Sequence, residues 1–165
     1  MTNNCQVSIN LIERKDRLQF SNIVTQYVKE YQQIEKVYPV HFDPKIGQIY
    51  WQTVFNKPKK HIALVAKCDE QVVGFITGEI SIFSIIEKAY FNGNKRGVVW
   101  DFYVIPQFRG QQIGTLLIQA LETEFKKHKC FHIVMNGVSV SNKQAGMLYE
   151  KLGYRPWQMQ YYKKV

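Results

Sequence analysis

Apolar positions along the chain change their spacing several times, and each change marks a boundary between elements. Val7, Ile9 and Leu11 alternate loosely with Ser8 and Asn10, which predicts a strand over Val7–Glu13. Leu18, Phe20, Ile23, Val24, Tyr27, Val28, Tyr31 and Ile34 recur at helical spacing, so Arg17–Val37 reads as a helix that ends before Pro39. Asp43-Pro44 supplies a capping carboxylate and then a residue that needs no N–H, opening a second helix over Ile46–Phe55. A basic, proline-containing loop, Lys57–Lys60, follows. His61–Lys67 and Val72–Ile82 are apolar runs on either side of Cys68-Asp69-Glu70-Gln71, the pattern of a hairpin.

Asn92-Gly93-Asn94 reads as a turn into a strand over Gly97–Val104, which Pro106 stops. Ile113, Leu116, Leu117, Ala120, Leu121 and Phe125 form the stripe of an amphipathic helix running to about residue 128. Phe131–Val138 is a strand, Asn142–Leu152 a short helix capped by Gly153, and Trp157–Lys164 a final strand. The order predicts a mixed α/β domain whose sheet is mostly antiparallel at its N-terminal side. The crossover helix makes strands 97–104 and 131–138 parallel.

Length and composition narrow this picture. At 165 residues with 45% hydrophobic side chains, the chain suits one domain, 1–165, with its own core, and argues against disorder. No apolar run approaches the roughly 18 residues of a membrane span, and the N-terminus lacks the pattern of a secretory leader. Cys5, Cys68 and Cys130 are odd in number and widely spaced, which speaks against a disulfide framework and makes a reducing cytoplasm the default. His41, His61, His128 and His132 show no metal-ligand spacing, so no metal is expected. The charge is uneven. Residues 95–165 hold 11 basic and 4 acidic side chains, a net of +7, against +2 for residues 1–94. Such a field suits a multiply phosphorylated small molecule or a polyanion. The basic residues are spread among elements with no nucleic-acid motif, so nucleic acid is not the expected partner. A homodimer stays open beside a monomer.

The strongest chemistry lies where strand 97–104 turns into the next helix. Arg109-Gly110-Gln111-Gln112-Ile113-Gly114-Thr115 joins them, and the first N–H groups of a helix are unpaired and sit at the positive end of its dipole. Gly110 and Gly114 would let a pyrophosphate approach the main chain.

This stretch resembles the acyl-CoA signature of the GNAT superfamily of N-acetyltransferases, Q/R-x-x-G-x-G/A after a strand ending in V-x-P. Arg109 matches its first position and Gly114 its last, while Gln112 stands where the middle glycine is usual. Asp101-Phe102-Tyr103-Val104 is similar to the strand end of the small-amine branch. A second block, Asn142-x-x-Ala145-x-x-x-Tyr149-x-Lys151-x-Gly153-Tyr154, resembles the superfamily's later N-x-x-A-x-x-x-Y element. The two blocks cover about residues 98–155, in the order the family has them.

The resemblance implies a central, largely antiparallel sheet of about six to seven strands with about four helices. Residues 7–95 would form the acceptor side and 96–165 the acetyl-CoA side. The amides of Gly110–Thr115 would bind the pyrophosphate with Arg109 beside them, Phe102, Tyr103 and Val104 the pantetheine arm, and Asn142 and Ala145 the opposite wall. Tyr149 would protonate the departing thiolate, since a phenol is neutral near pH 7. Asp101 is the first candidate for general base and Glu79 the second. Trp100 stands where polyamine-acetylating relatives often carry Glu, pointing to a flatter, more aromatic acceptor site. His41, Phe42, Asp43, Tyr50 and Trp51, within Tyr38–Phe55, would either line an acceptor pocket or pack the helices on the sheet.

The activity implied is transfer of acetyl from acetyl-CoA to a primary amine by direct attack. A small amine or aminosugar is favoured over a protein lysine or N-terminus. A non-catalytic acyl-CoA-binding domain and a nucleic-acid-binding module are the readings of another class.

Overall fold

β1 (Val7–Leu11), β2 (His61–Cys68), β3 (Gln71–Ile82), β4 (Lys95–Val104) and β5 (His132–Met135) lie side by side in that order. This computed structural model describes residues 5–37, 39–56 and 60–163. Tyr38, residues 57–59 of the basic loop and Lys164 lie outside the described residues. The first three pairings are antiparallel and β4–β5 is parallel, as the crossover predicts. β2 and β3 are buried along nearly their whole length, because helices cover both faces there.

On one face, α1 (Arg17–Ile34) and α2 (Ile46–Phe55) pack Phe20, Ile23, Val24 and Trp51 against Val65, Phe75 and Tyr103. On the other, α4 (Ile113–Lys127) places Leu117, Ile118, Leu121 and Phe125 against Leu64, Val73 and Ile76. Phe125 is wholly buried, and β-carbons on Gly78 or Gly97 would collide with its ring. The two strands are hollowed there to admit one aromatic side chain. Asp16 and Lys67, both buried, meet at 2.6 Å, so each charge is compensated where neither is hydrated.

Three expectations need correction. The described residues make five strands, and residues 157–163 carry none: Trp157, Met159 and Tyr161 alternate as a strand would but stay exposed and find no sheet edge. The described residues also make five α-helices. The additional one, α3 (Ile85–Tyr90), starts from a capping box in which Ser84 accepts from the Glu87 amide and Glu87 from the Ser84 amide. Finally, Cys5 is disulfide-bonded to Cys68, with 5.5 Å between their α-carbons, and Cys130 is free. Pairing β1 with β2 brings together cysteines 63 residues apart, so their spacing was no guide. Among the described residues no helix is long and apolar enough to cross a membrane.

Candidate active site

β4 and β5 stay paired only to Val99 and Met135, and beyond that point they part. The last contact is the Asn136 amide donating to the Val99 carbonyl at 2.9 Å. The β4 edge from Trp100 onward therefore has no strand beside it on that side. β4 also carries a bulge here. Thr77 pairs with Asp101 and Gly78 with Val99, leaving Trp100 as an extra residue that the ladder skips. A bulge bends the strand and re-aims side chains, and Trp100 faces the resulting cleft, 47% exposed.

Val99, Trp100 and Phe102 form one wall of the cleft; Asn136–Ser139, Asn142 and Tyr149 form the other. Tyr27 and Tyr31 of α1 close one side. Asn142 caps α5 (Lys143–Lys151), its side chain accepting from the Ala145 amide at 3.2 Å. That cap fixes the helix on which Tyr149 is carried. The Tyr149 hydroxyl has no hydrogen bond to any described residue. Its pKa is pushed up to about 12, first by burial and then by the negative charge of Asp101. It is therefore a protonated donor throughout the neutral range.

The turn at the end of β4 is left-handed at two residues, Gly110 with φ +78° and Gln112 with φ +62°. Gln112 is the N-cap of α4, and no side chain caps that helix or places an acid in its first turn. The amides of Ile113, Gly114 and Thr115 are thus left for an anion. A β-carbon at Gly110 would meet nothing within 4 Å, so the main chain there is open to an approaching group. Arg109 is not free. Its Nε donates to the Val104 carbonyl at 2.8 Å, its Nη2 meets Glu30 at 2.6 Å, and the guanidinium lies 5.3 Å from the Tyr103 ring centre. Glu30 also accepts from the Tyr103 hydroxyl at 2.8 Å. Burial, then Glu30, pushes that phenol's pKa up.

This donor set fits an extended acyl-CoA. An uncapped helix start offers free amides to an anion, and an unpartnered strand edge leads from it toward Tyr149.

The acetyltransferase (GNAT) family model matches residues 24–154 of the chain. The chain belongs to the GNAT acetyltransferase family. An N-acetyltransferase of Archaeoglobus fulgidus is 30% identical over 72% of this chain and 76% of its own length. N-alpha-acetyltransferase 30 of Dictyostelium discoideum is 27% identical over 67% of this chain and 55% of its own. Among solved structures, the aminoglycoside N-acetyltransferase AAC(6')-Iy bound to a CoA bisubstrate analogue superposes with TM-score 0.72 at 14% identity, covering 97% of this chain and 99% of that one. A structure described as a probable acetyltransferase gives 0.74 at 18% identity, covering 96% and 97%.

In this GNAT acetyltransferase the residues named from sequence fall into three places. Phe102, Asn142, Ala145 and Tyr149 line the cleft, and the turn 109–115 connects β4, one of its walls, to α4. Tyr103 is buried on the opposite face of the sheet, among the α1 and α2 side chains. Gly114 serves packing: a β-carbon there would come 2.8 Å from Phe102 Cζ.

The two base candidates differ. Asp101 accepts from the Tyr27 hydroxyl at 2.7 Å through one oxygen and from the Tyr50 hydroxyl through the other. With its proton given to Asp101, the Tyr50 oxygen accepts from the Thr77 hydroxyl at 2.8 Å. Asp101 itself is not among the residues that line the cleft. Glu79 is ion-paired with Lys60 at 2.6 Å, two residues beyond Thr77 along β3. Of the acceptor-side residues, Trp51 is stacked on Phe55 in the core, Phe42 lies under Lys29, and Asp43 accepts from the Lys45 amide. The helix accordingly starts after Lys45, one residue past the proline.

Tyr27, Glu30 and Tyr31 were read from sequence as helix positions and given no role at the site. Their signal was present as three hydroxyl or carboxylate tips at i, i+3 and i+4, all on one face of α1.

Proposed function

We propose that the protein transfers the acetyl group of acetyl-CoA to a primary amine by direct attack, with Tyr149 as general acid and Asp101 as the proton's destination. The observation that carries this reading is the meeting, in one cleft, of an unbonded Tyr149 hydroxyl and a strand edge that leads to an uncapped helix start. The amides of Gly110–Thr115 would hold the pyrophosphate, and the β4 edge at Phe102–Val104 the pantetheine arm, much as an added strand would. Acetyl-CoA supplies the activated acyl group. The attacking nitrogen loses a proton, and the leaving sulfur gains one from Tyr149.

The cleft is lined by phenols, an indole, amides and apolar side chains, with no carboxylate among them. This supports an acceptor with one amine on a neutral body, such as the α-amine of a polypeptide, over a polycation. Two relatives named as N-alpha-acetyltransferases, from Dictyostelium discoideum and Sulfurisphaera tokodaii, agree with that choice. The test is release of CoA thiol on mixing the protein with acetyl-CoA and, one at a time, short peptides with free α-amines, free amino acids, glucosamine and spermidine. Turnover on the peptides is the expected result. Turnover confined to spermidine or glucosamine would overturn the acceptor class, and none on any amine would overturn the activity.

A further inference from the structure

Asp101 is a carboxylate that needs a path to the substrate. It lies against the cleft without lining it, and both its oxygens are taken by phenols. One of those phenols, Tyr27, does line the cleft, and so stands between Asp101 and that space. The other, Tyr50, is turned toward Thr77 on the sheet.

We propose that Tyr27 is a further catalytic residue, a relay that takes the proton from the acceptor ammonium while handing its own hydroxyl proton to Asp101. This rests on the acetyltransferase reading above and deepens it. The ammonium N–H bond breaks toward Tyr27 Oη, and the Tyr27 O–H bond breaks toward the Asp101 oxygen 2.7 Å away. The nitrogen lone pair so freed forms the C–N bond. The thioester carbonyl re-forms as the C–S bond breaks, and sulfur takes the Tyr149 proton. The amide nitrogen gives up its second proton to solvent, Asp101 ends with one proton more and Tyr149 with one fewer, and exchange with solvent restores both, for a net release of one proton.

The Tyr27 ring is held in place by three aromatic neighbours. It stacks on Tyr31 at 5.8 Å between centres, meets Phe75 edge-on at 5.7 Å and is tilted against Tyr103 at 5.7 Å. Burial and then the Asp101 charge push its pKa well up, so the phenol does not hold a negative charge of its own. A proton passes through it without resting there. The titratable groups facing this pair are Tyr31 on α1, Tyr50 on α2 and Tyr149 on α5, each of which feels the Asp101 charge, with Glu35 behind Tyr31.

The experiment measures kcat/KM for the best peptide amine from pH 6 to 10 in the wild type, Tyr27→Phe, Asp101→Asn and the double variant. Melting temperatures and the shift produced by acetyl-CoA are recorded for each. Tyr27→Phe keeps the ring, so the fold and the acetyl-CoA shift should persist. Its rate should fall roughly 10²-fold at neutral pH, the scale of one acid–base group. The deficit should shrink at least tenfold as pH passes the amine's own pKa, because free amine needs no base. The double variant should be no slower than the worse single one, as for residues acting as a unit. A deficit independent of pH, or losses that multiply, would overturn the relay while leaving the acetyltransferase reading standing. Should Tyr27→Phe not fold, a folded Asp101→Asn with a pH-independent deficit overturns it equally. A wild type that acetylates no amine removes the activity and the relay together.

Discussion

The first turn of α4 rides directly on the Phe102 ring: a β-carbon at Gly114 would stand 2.8 Å from Phe102 Cζ and 3.5 Å from Leu148 Cδ2. The glycine joins the 109–115 turn to the cleft wall through packing. Gly114→Ala should destabilise the fold by about 1–3 kcal/mol, the cost of forcing an extra carbon into a packed contact. Phe102→Leu, which retracts the obstructing ring edge, should recover part of that loss in the double variant. Urea unfolding of the four proteins checks this. Equal and additive losses would show that the contact is not what demands glycine.

Gln112 holds a left-handed conformation, φ +62°, at a position where glycine has no β-carbon to strain. Gln112→Gly should raise stability by about 1 kcal/mol, which in a chain of this size is roughly 2–4 °C in Tm. Gln111, its neighbour, is not left-handed, and Gln111→Gly should not stabilise. Thermal melts of the two variants separate strain relief from a general effect of glycine.

Tyr149→Phe keeps the ring and deletes the donor. If this phenol protonates the leaving thiolate, kcat should fall roughly 10²–10⁴-fold with the acetyl-CoA Kd almost unchanged. The pH sign follows from its pKa, raised to about 12: the donor is present below that value and lost above it. Activity in the wild type should therefore show no descending limb from Tyr149 between pH 7 and 10. A kcat unchanged in the variant, with chemistry limiting turnover, reduces the residue to packing.

Lys67 and Asp16 form an ion pair with side chains 10% and 3% exposed. Lys67→Met leaves the Asp16 carboxylate buried without its cation and should cost roughly 3–5 kcal/mol. Lys15→Met, whose partner Glu13 is exposed like itself, should leave the midpoint almost unchanged. Denaturant midpoints of the two variants make the comparison.

Much of the architecture was legible because local pattern and tertiary role coincide. Ile46–Phe55 has the bounds its proline and apolar spacing predict, and most of the 113–125 stripe is the face that α4 buries, with Ile118 buried where Leu116 was expected and Leu116 41% exposed. The long apolar runs of β2 and β3 are read correctly because both faces are covered. The failures are of the opposite kind. Trp157, Met159 and Tyr161 alternate like a strand, but alternation cannot supply an edge to pair with. Ser84 and Glu87 did announce α3, though the apolar run of Val72–Ile82 ends only two residues before the cap. Asp101 was picked out as a carboxylate near the cofactor strand, yet its partners Tyr27 and Tyr50 lie 74 and 51 residues away. Only the packing of α1 and α2 onto that face brings them together.

Those α1 side chains have a consequence for how the two substrates sense each other. Tyr27 and Tyr31 wall the cleft, while Glu30, on the same turn of helix, grips Arg109 at the start of the 109–115 turn. With acetyl-CoA on that turn and the amine in the cleft, as proposed above, one helix would serve both, and whatever seats it for acetyl-CoA would also seat it for the amine. Linkage makes that influence mutual: the factor by which acetyl-CoA tightens the amine equals the factor by which the amine tightens acetyl-CoA. Glu30→Gln, which leaves both pockets lined but loosens the grip, should bring that common factor closer to one in titrations run from either side.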